Sequence, residues 1–143
     1  MKYLAYLKTL KTCPFCEEDP TRSLLENENA YLTYSLAPYH KYHLLVIPKR
    51  HVEKLKDLKW HEQVSITALL YVGIKALDAL GHDDCSIVAK DNFKTIPHLH
   101  YHIIPGGEIE DISLDTEMRS LLTKTETINL TKELEKQLSI FKK

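Results

Sequence analysis

The segment His98-Leu99-His100-Tyr101-His102-Ile103-Ile104-Pro105 restricts the fold more than any other stretch of the chain. In a β-strand successive side chains point to opposite faces, so His98, His100 and His102 would line one face and Leu99, Tyr101 and Ile103 the other. On a helix the same spacing turns each imidazole about 200° from the next, and no common site forms. The Tyr and Ile content and the bounding Pro97 and Pro105 favour the strand. Three apolar side chains behind three imidazoles imply a sheet with one side on a core and the other on a cleft. There an imidazole serves as metal ligand, nucleophile or donor to an anion. The plainer alternative, a solvated strand that happens to be rich in histidine, does not account for strict alternation. A helical zinc motif needs a Glu between two His at i and i+4, and none is present.

The rest of the chain supplies the partners such a strand needs. Ala30–Leu36 and His43–Ile47 are rich in β-branched, aromatic and leucine residues, and Pro38 and Pro48 close them. Ser86–Lys90 is a further strand, and His98–Ile104 a fourth. Between them lies a long helix over Glu62–Leu80. Ile66, Leu69, Leu70, Gly73, Leu77 and Leu80 form its apolar face, and Gln63, Thr67, Tyr71, Lys75 and Asp78 its polar face. Gly73 on the apolar side predicts close packing against the sheet, and Gly81 is placed to end the helix. Tyr3, Leu4, Leu7 and Leu10 make a short helical stripe at the N-terminal side. After Gly106-Gly107 helices are expected over Ser113–Thr123 and Thr131–Phe141, the latter capped by Asn129 or Thr131 and lined by Leu130, Leu134 and Leu138.

Length and charge narrow the classes. At 143 residues and 16.6 kDa the chain is one ordinary domain. A net charge of -1 argues against bulk-charge binding of nucleic acid. Lys49, Arg50, Lys54, Lys56 and Lys59 are interleaved with Glu53 and Asp57 and read as a solvated loop and helix start. No apolar run approaches the ~20 residues of a membrane helix. Lys2, Lys8 and Lys11 interrupt any export signal, so a cytoplasmic location is expected. Cys13-Pro14-Phe15-Cys16 in that setting points to metal or redox chemistry and not to a disulfide framework. The acidic run Glu17, Glu18 and Asp19 would raise a thiol pKa, which opposes redox activation. Cys85 reads as a small buried residue. His40, His61 and His82 are expected in loops or on helix surfaces, and the lone His43 as structural.

With these residues in view, His98–Ile104 resembles the signature of the histidine-triad superfamily of nucleotidyl hydrolases and transferases. Leu44-Leu45-Val46-Ile47-Pro48-Lys49-Arg50-His51-Val52 resembles that family's strand-to-loop segment. Cys13-Pro14-Phe15-Cys16 resembles the knuckle of its zinc-containing branch. The resemblance runs from Cys13 to Gly107. It departs from the family before the triad, where Lys94 stands at the usual Gln position and Thr95 at the Ser/Thr position. Ser35 stands where the family carries a ribose-holding Asp or Asn.

The resemblance implies an α+β fold: an antiparallel five-stranded sheet with one long packed helix. The fifth strand would lie near Leu24-Leu25 or over Ile109–Ile112. Residues 1–107 would form this domain with its N-terminal zinc knuckle, and 108–143 a C-terminal helical extension of it. Cys13, Cys16, His51 and His98 would hold a structural zinc, with no open position for water. His100 would be the nucleophile on an α-phosphate and His102 a donor to a phosphate oxygen. Ser35, Asn92, Lys94 and Thr95 would contact the nucleotide. Strand geometry sets His102 roughly 7 Å from His100 along the chain. A homodimer through the long helix and a sheet edge is implied, with a nucleotide substrate and neither nucleic acid nor membrane as partner. A non-catalytic nucleotide- or partner-binding module and a Cys-x-x-Cys redox protein are the other readings.

Overall fold

The computed structural model describes residues 1–17, 22–92, 96–106 and 119–141. Five strands form one antiparallel sheet: β1 (Leu25–Glu26), β2 (Ala30–Tyr34), β3 (Leu44–Pro48), β4 (Cys85–Ala89) and β5 (Tyr101–Pro105), in the order β1-β2-β3-β5-β4. The fifth strand is the one at Leu24-Leu25; the alternative at 109–112 lies outside the described residues. Of the helices, α1 covers Tyr3–Leu7, α2 Trp60–Ala79 and α3 Lys124–Leu138. Among the described residues no helix is long and apolar enough to cross a membrane.

Period-two alternation builds the core. Ala30, Leu32 and Tyr34 of β2, Leu44 and Val46 of β3 and Ile103 of β5 face α2, meeting Ile66, Leu69, Ala76 and Leu77. Gly73 is essential to this contact. A Cβ there would come within 2.7 Å of Ile103 Cδ1, closer than packed atoms approach. Gly81 follows the helix at φ +94°, the left-handed conformation that ends helices on glycine. At the other end Lys59 N–H donates to Glu62 Oε1 at 2.9 Å, so the helix begins two residues before the expected Glu62. Glu62 also takes a paired contact from Arg50, at 3.0 and 2.7 Å, which gives the buried carboxylate its counter-charge. The basic stretch is therefore not uniformly solvated: Arg50 folds back on the helix.

The C-terminal residues depart further from expectation. The described part of the predicted Ser113–Thr123 helix, residues 119–123, is extended and bridges the N-terminal arm through Lys2 and Ser120; residues 113–118 lie outside the described residues. The last helix starts at Lys124, well before Asn129 or Thr131. Thr123 Oγ1 accepts from Glu126 N–H at 3.1 Å and Glu126 Oε1 from Thr123 N–H at 2.9 Å. This reciprocal cap is the stronger start signal. Leu130, Leu134 and Leu138 are buried in the same core as the sheet.

The histidine segment also differs. Its ladder begins at Tyr101, paired to Val46 and Ala89, so His98 and His100 precede the strand. His98 N–H turns back to Ile96 O at 2.8 Å, and Leu99 N–H donates to Val52 O at 2.7 Å. β3 continues to Pro48, but Leu99 N–H goes to Val52 O and Pro48 O accepts from His98 Nε2, so residues 98–100 leave the ladder and run beside the loop that follows β3.

Candidate functional site

The open face of the sheet, opposite α2, carries the histidines. His102 pairs across β3 with Leu45 and across β4 with Val88. Ser35 N–H donates to His43 O at 2.9 Å, which extends the β2–β3 pairing by one step. By alternation Ser35 and His43 then fall on the His102 side. His98, His100, His102 and His43 are all buried.

At one end of the row four ligand-type side chains converge. Cys13, Cys16, His51 and His98 have their ligand atoms within 4.8 Å of one another. Cys13 Sγ is 3.3 Å from His98 Nδ1, and Cys16 Sγ is 3.4 Å from His98 Nδ1 and 3.1 Å from His51 Nδ1. A tetrahedron with bonds of about 2.3 Å to sulfur and 2.0 Å to nitrogen has edges of roughly 3.3–3.8 Å; the three short separations are close to these edges, and the widest, 4.8 Å, needs a small inward movement to close on one ion. The orientation fits too. His98 Nε2 donates to Pro48 O at 2.8 Å, leaving Nδ1 as the ligand atom. His51 Nε2 faces Glu53 Oε2 at 3.5 Å while its Nδ1 faces Cys16. Such outer partners are what fix a ligating imidazole. Burial pushes His98 down to about 4, favouring the neutral, ligating ring. The Cys16 thiol is pushed up to about 11, first by desolvation and then by Cys13, the opposite of an activated redox dithiol. This cluster can bind a metal.

The knuckle reaches past the cluster. The Phe15 ring packs on His98 and His100, with centroids at 5.8 and 5.0 Å, and Tyr31 OH donates to Phe15 O at 2.8 Å. His100 Nδ1 donates to His98 O at 2.7 Å, so the in-plane lone pair of its neutral form lies on Nε2. Burial holds His100 below the ordinary imidazole range, opposed by that hydrogen bond. The His100 and His102 rings meet edge to face with centroids 4.8 Å apart. The rings lie closer than the backbone repeat of roughly 7 Å, each held by its own hydrogen bond, to His98 O and to His43.

His43, which reads as a lone structural histidine in the sequence, belongs to the cluster. Its Nε2 lies 2.8 Å from His102 Nδ1. Tyr39 N–H donates to His43 Nδ1 at 3.2 Å, so His43 carries its proton on Nε2 and donates it to His102 Nδ1. His102 is then protonated on Nε2, the nitrogen left to meet a ligand. Burial first, and neighbouring positive charge second, push His43 down to about 3 and His102 well down, keeping both rings neutral. The available signal for His43 was its position one residue before β3, on the face opposite Leu44; its partner is 59 residues away.

Of the nucleotide-contact candidates, Ser35 is buried and its Oγ accepts from Ala37 N–H at 3.2 Å. Asn92 lies in the bend after β4. Lys94 and Thr95 lie outside the described residues. His61 is exposed on α2, and His40 and His82 pack edge to face at 4.9 Å away from the row. Cys85 starts β4 and is half-buried.

The HIT domain family model matches residues 17–109. An uncharacterised HIT-like protein of Methanocaldococcus jannaschii is 26% identical over 126 residues, 76% of this chain and 98% of that protein. An adenosine 5′-monophosphoramidase of Schizosaccharomyces pombe is 29% identical over 101 residues, 66% of this chain and 74% of its own length. The fold is similar to that of a zinc-bound histidine triad family protein from Mycobacterium smegmatis: the TM-score is 0.66 and the identity 24%, covering 91% of this chain and 97% of that one.

Proposed function

Because the chain belongs to the HIT domain family, we propose that it is a nucleotidyl hydrolase or transferase acting on a nucleoside phosphoramidate or phosphoanhydride. The observation that carries this reading is the tautomer pattern of the row: a lone pair on His100 Nε2 beside an N–H on His102 Nε2. His100 Nε2 attacks the α-phosphorus; an N–P bond forms and the P–N or P–O bond to the leaving group breaks. His102 Nε2–H donates to a non-bridging phosphate oxygen as its charge grows. Water or another acceptor then takes the nucleotidyl group and frees the imidazole. Ser35, Asn92, Lys94 and Thr95 are assigned to the nucleotide. Phosphoramidates come first among the leaving groups because the similar Schizosaccharomyces protein is named for one.

Cys13, Cys16, His51 and His98 are the ligands for zinc, which would supply a fixed anchor between the knuckle, the β3 loop and the triad. Two thiolates and two imidazoles close the coordination shell, so the metal's contribution is structural. The chain is read as one domain over 1–107 with 108–143 as its extension, working in the cytoplasm. Dimerisation is assigned to α2 and the β4 edge. Trp60, Val64, Tyr71 and Ile74 form an exposed apolar stripe on that helix, Trp60 at 82% exposure, and Ile87 is exposed on β4.

The test is a panel of adenosine phosphoramidates and dinucleoside polyphosphates, followed by acid quenching to trap label on the protein. Turnover with acid-labile label that His100→Ala abolishes is expected. Tight nucleotide binding with neither turnover nor label would replace the enzyme with a binding module.

A further inference from the structure

Arg119 has no part in the chemistry above, lies outside the residues matched to the family, and is 7% exposed. Its segment is stitched to two others. Tyr3 N–H donates to Arg119 O at 2.9 Å, Leu121 N–H to Met1 O at 2.9 Å, and Leu122 N–H to Leu36 O at 2.8 Å. Residues 119–122 thus form a strap between the N-terminal arm and the loop that leads from β2 to β3. The guanidinium lies between two aromatic rings, 4.6 Å from the Tyr3 centroid and 4.5 Å from the Tyr39 centroid, and Nη1 donates to Ala37 O at 3.0 Å. Among the described residues no carboxylate pairs with it, and its Nε is buried without a hydrogen-bond partner. A buried cation is costly, and among the described residues its partners are two rings and one carbonyl.

The stack continues one ring further on. Tyr39 stacks on His43, with centroids 5.8 Å apart and planes 29° apart, and its N–H is the donor that sets the His43 tautomer. We propose that Arg119 is a positioning residue: by clamping Tyr39 it holds His43, and through His43 it holds His102 with Nε2–H presented to the phosphate. The proposal rests on the reading of His102 given above. Charge acts in the same direction as the clamp. A protonated His43 would lose its acceptor for Tyr39, and a protonated His102 its acceptor for His43. Burial opposes protonation of both rings first; Arg119, His100 and His40 add to it around His43, and His100, His43, Arg119 and Lys90 around His102. A guanidinium serves here better than an ammonium because it is planar and stacks on rings.

The experiment is side-chain 15N NMR of the full-length protein as purified, with steady-state kinetics beside it. Wild type should show His43 and His102 each as a single tautomer protonated on Nε2. Arg119→Met should show mixed tautomers at both, raise their protonation midpoints by about 1 pH unit, and lower kcat about tenfold with KM within about twofold. Arg119→Lys should recover the midpoints, since it keeps the charge, but not the single tautomer. Folded Arg119→Met with wild-type tautomers and midpoints would overturn the proposal. Should Arg119→Met not fold, Tyr3→Leu removes only the outer ring of the clamp and is read the same way: mixed tautomers support it and unchanged ones overturn it. Correct tautomers in a wild-type protein that turns over no nucleotide would leave the clamp standing and sink the enzymatic reading instead.

Discussion

His98 and His102 stand at the two ends of one row and are held by different means. His98 is fixed by specific partners: Pro48 O, which accepts from Nε2, and a cluster of Cys13, Cys16 and His51 around Nδ1 that could hold a metal. His102 is fixed by a relay of weaker neutral contacts, from Tyr39 N–H through His43 and backed by the Tyr3–Arg119–Tyr39 stack. A coordination bond tolerates an exposed, polar surrounding, and Cys16 and His51 are indeed exposed. A neutral imidazole relay works only where water and protons are kept out, and His43 and His102 are buried. The difference teaches that one row of histidines can carry a cluster able to bind a metal at one end and be tuned by burial at the other. His100, between them, is the ring assigned to chemistry.

The sharpest way to break the comparison is to remove the ligation. Cys13→Ser, or chelation of the wild type, should cost several kcal/mol of stability, on the order of 5, because binding energy at such a site is folding energy. Denaturant unfolding with and without added zinc reads it; a protein indifferent to both would make the two ends equivalent. Next in size is the middle of the row. His100→Ala should lower turnover about a thousandfold or more, and His102→Ala less, about a hundredfold, since only the first removes the bond-forming atom. Single-turnover release of nucleotide compares them, and equal losses would assign His102 more than a donor's part.

The relay end has a pH signature. His43 is held at about 3 in the fold against an ordinary 6.5 when unfolded. The unfolded chain therefore binds the proton more tightly, and stability rises with pH in that window. The contribution is complete above about pH 6.5 and is lost as pH falls toward 3, by on the order of 2 kcal/mol at pH 5. Urea titrations at pH 7.5 and 5 should show a smaller difference for His43→Gln than for wild type, with the metal-binding loss common to both. An equal difference would mean that the relay carries no burden of burial. The smallest effect tests the strap's support. Thr123→Ala removes the cap of α3 next to residues 119–122 and should cost about 1 kcal/mol, measurable as a lowered Tm, while leaving the zinc content unchanged.

Much of the ligated end is legible in the sequence. The Cys-Pro-Phe-Cys turn, His51 after Pro48-Lys49-Arg50 and His98 at the head of the alternating run are residue types with few other uses, and their chemistry marks them wherever the chain later carries them. The apolar face of α2, with Gly73 in it, is legible for the same kind of reason: a period of 3.6 is a local property, and glycine on the buried side has no local advantage. The Thr123–Glu126 cap is also written in the sequence, as a Thr three residues before a Glu, but it lies well ahead of the leucine repeat that begins at Leu130.

The relay end is not legible. His43 is one histidine before an apolar strand, and nothing within ten residues distinguishes it from a packed ring. It becomes a partner of His102 only through the register that sets Leu44 opposite Ile103 and Leu45 opposite His102. Arg119 is one of many basic residues until the strap lays it between Tyr3 and Tyr39, side chains from two other parts of the chain. The start of the last strand at Tyr101 is likewise decided by a distant contact, since Leu99 N–H goes to Val52 O and not to β3. The sequence by itself determined which residues can ligate, attack or pack, because side-chain chemistry and local periodicity belong to the residue and its near neighbours. The tertiary structure alone decided which nitrogen of His43 and His102 carries the proton and which cation lies behind them, because tautomer and burial depend on groups brought together by sheet register and chain crossing, across distances that no local pattern encodes.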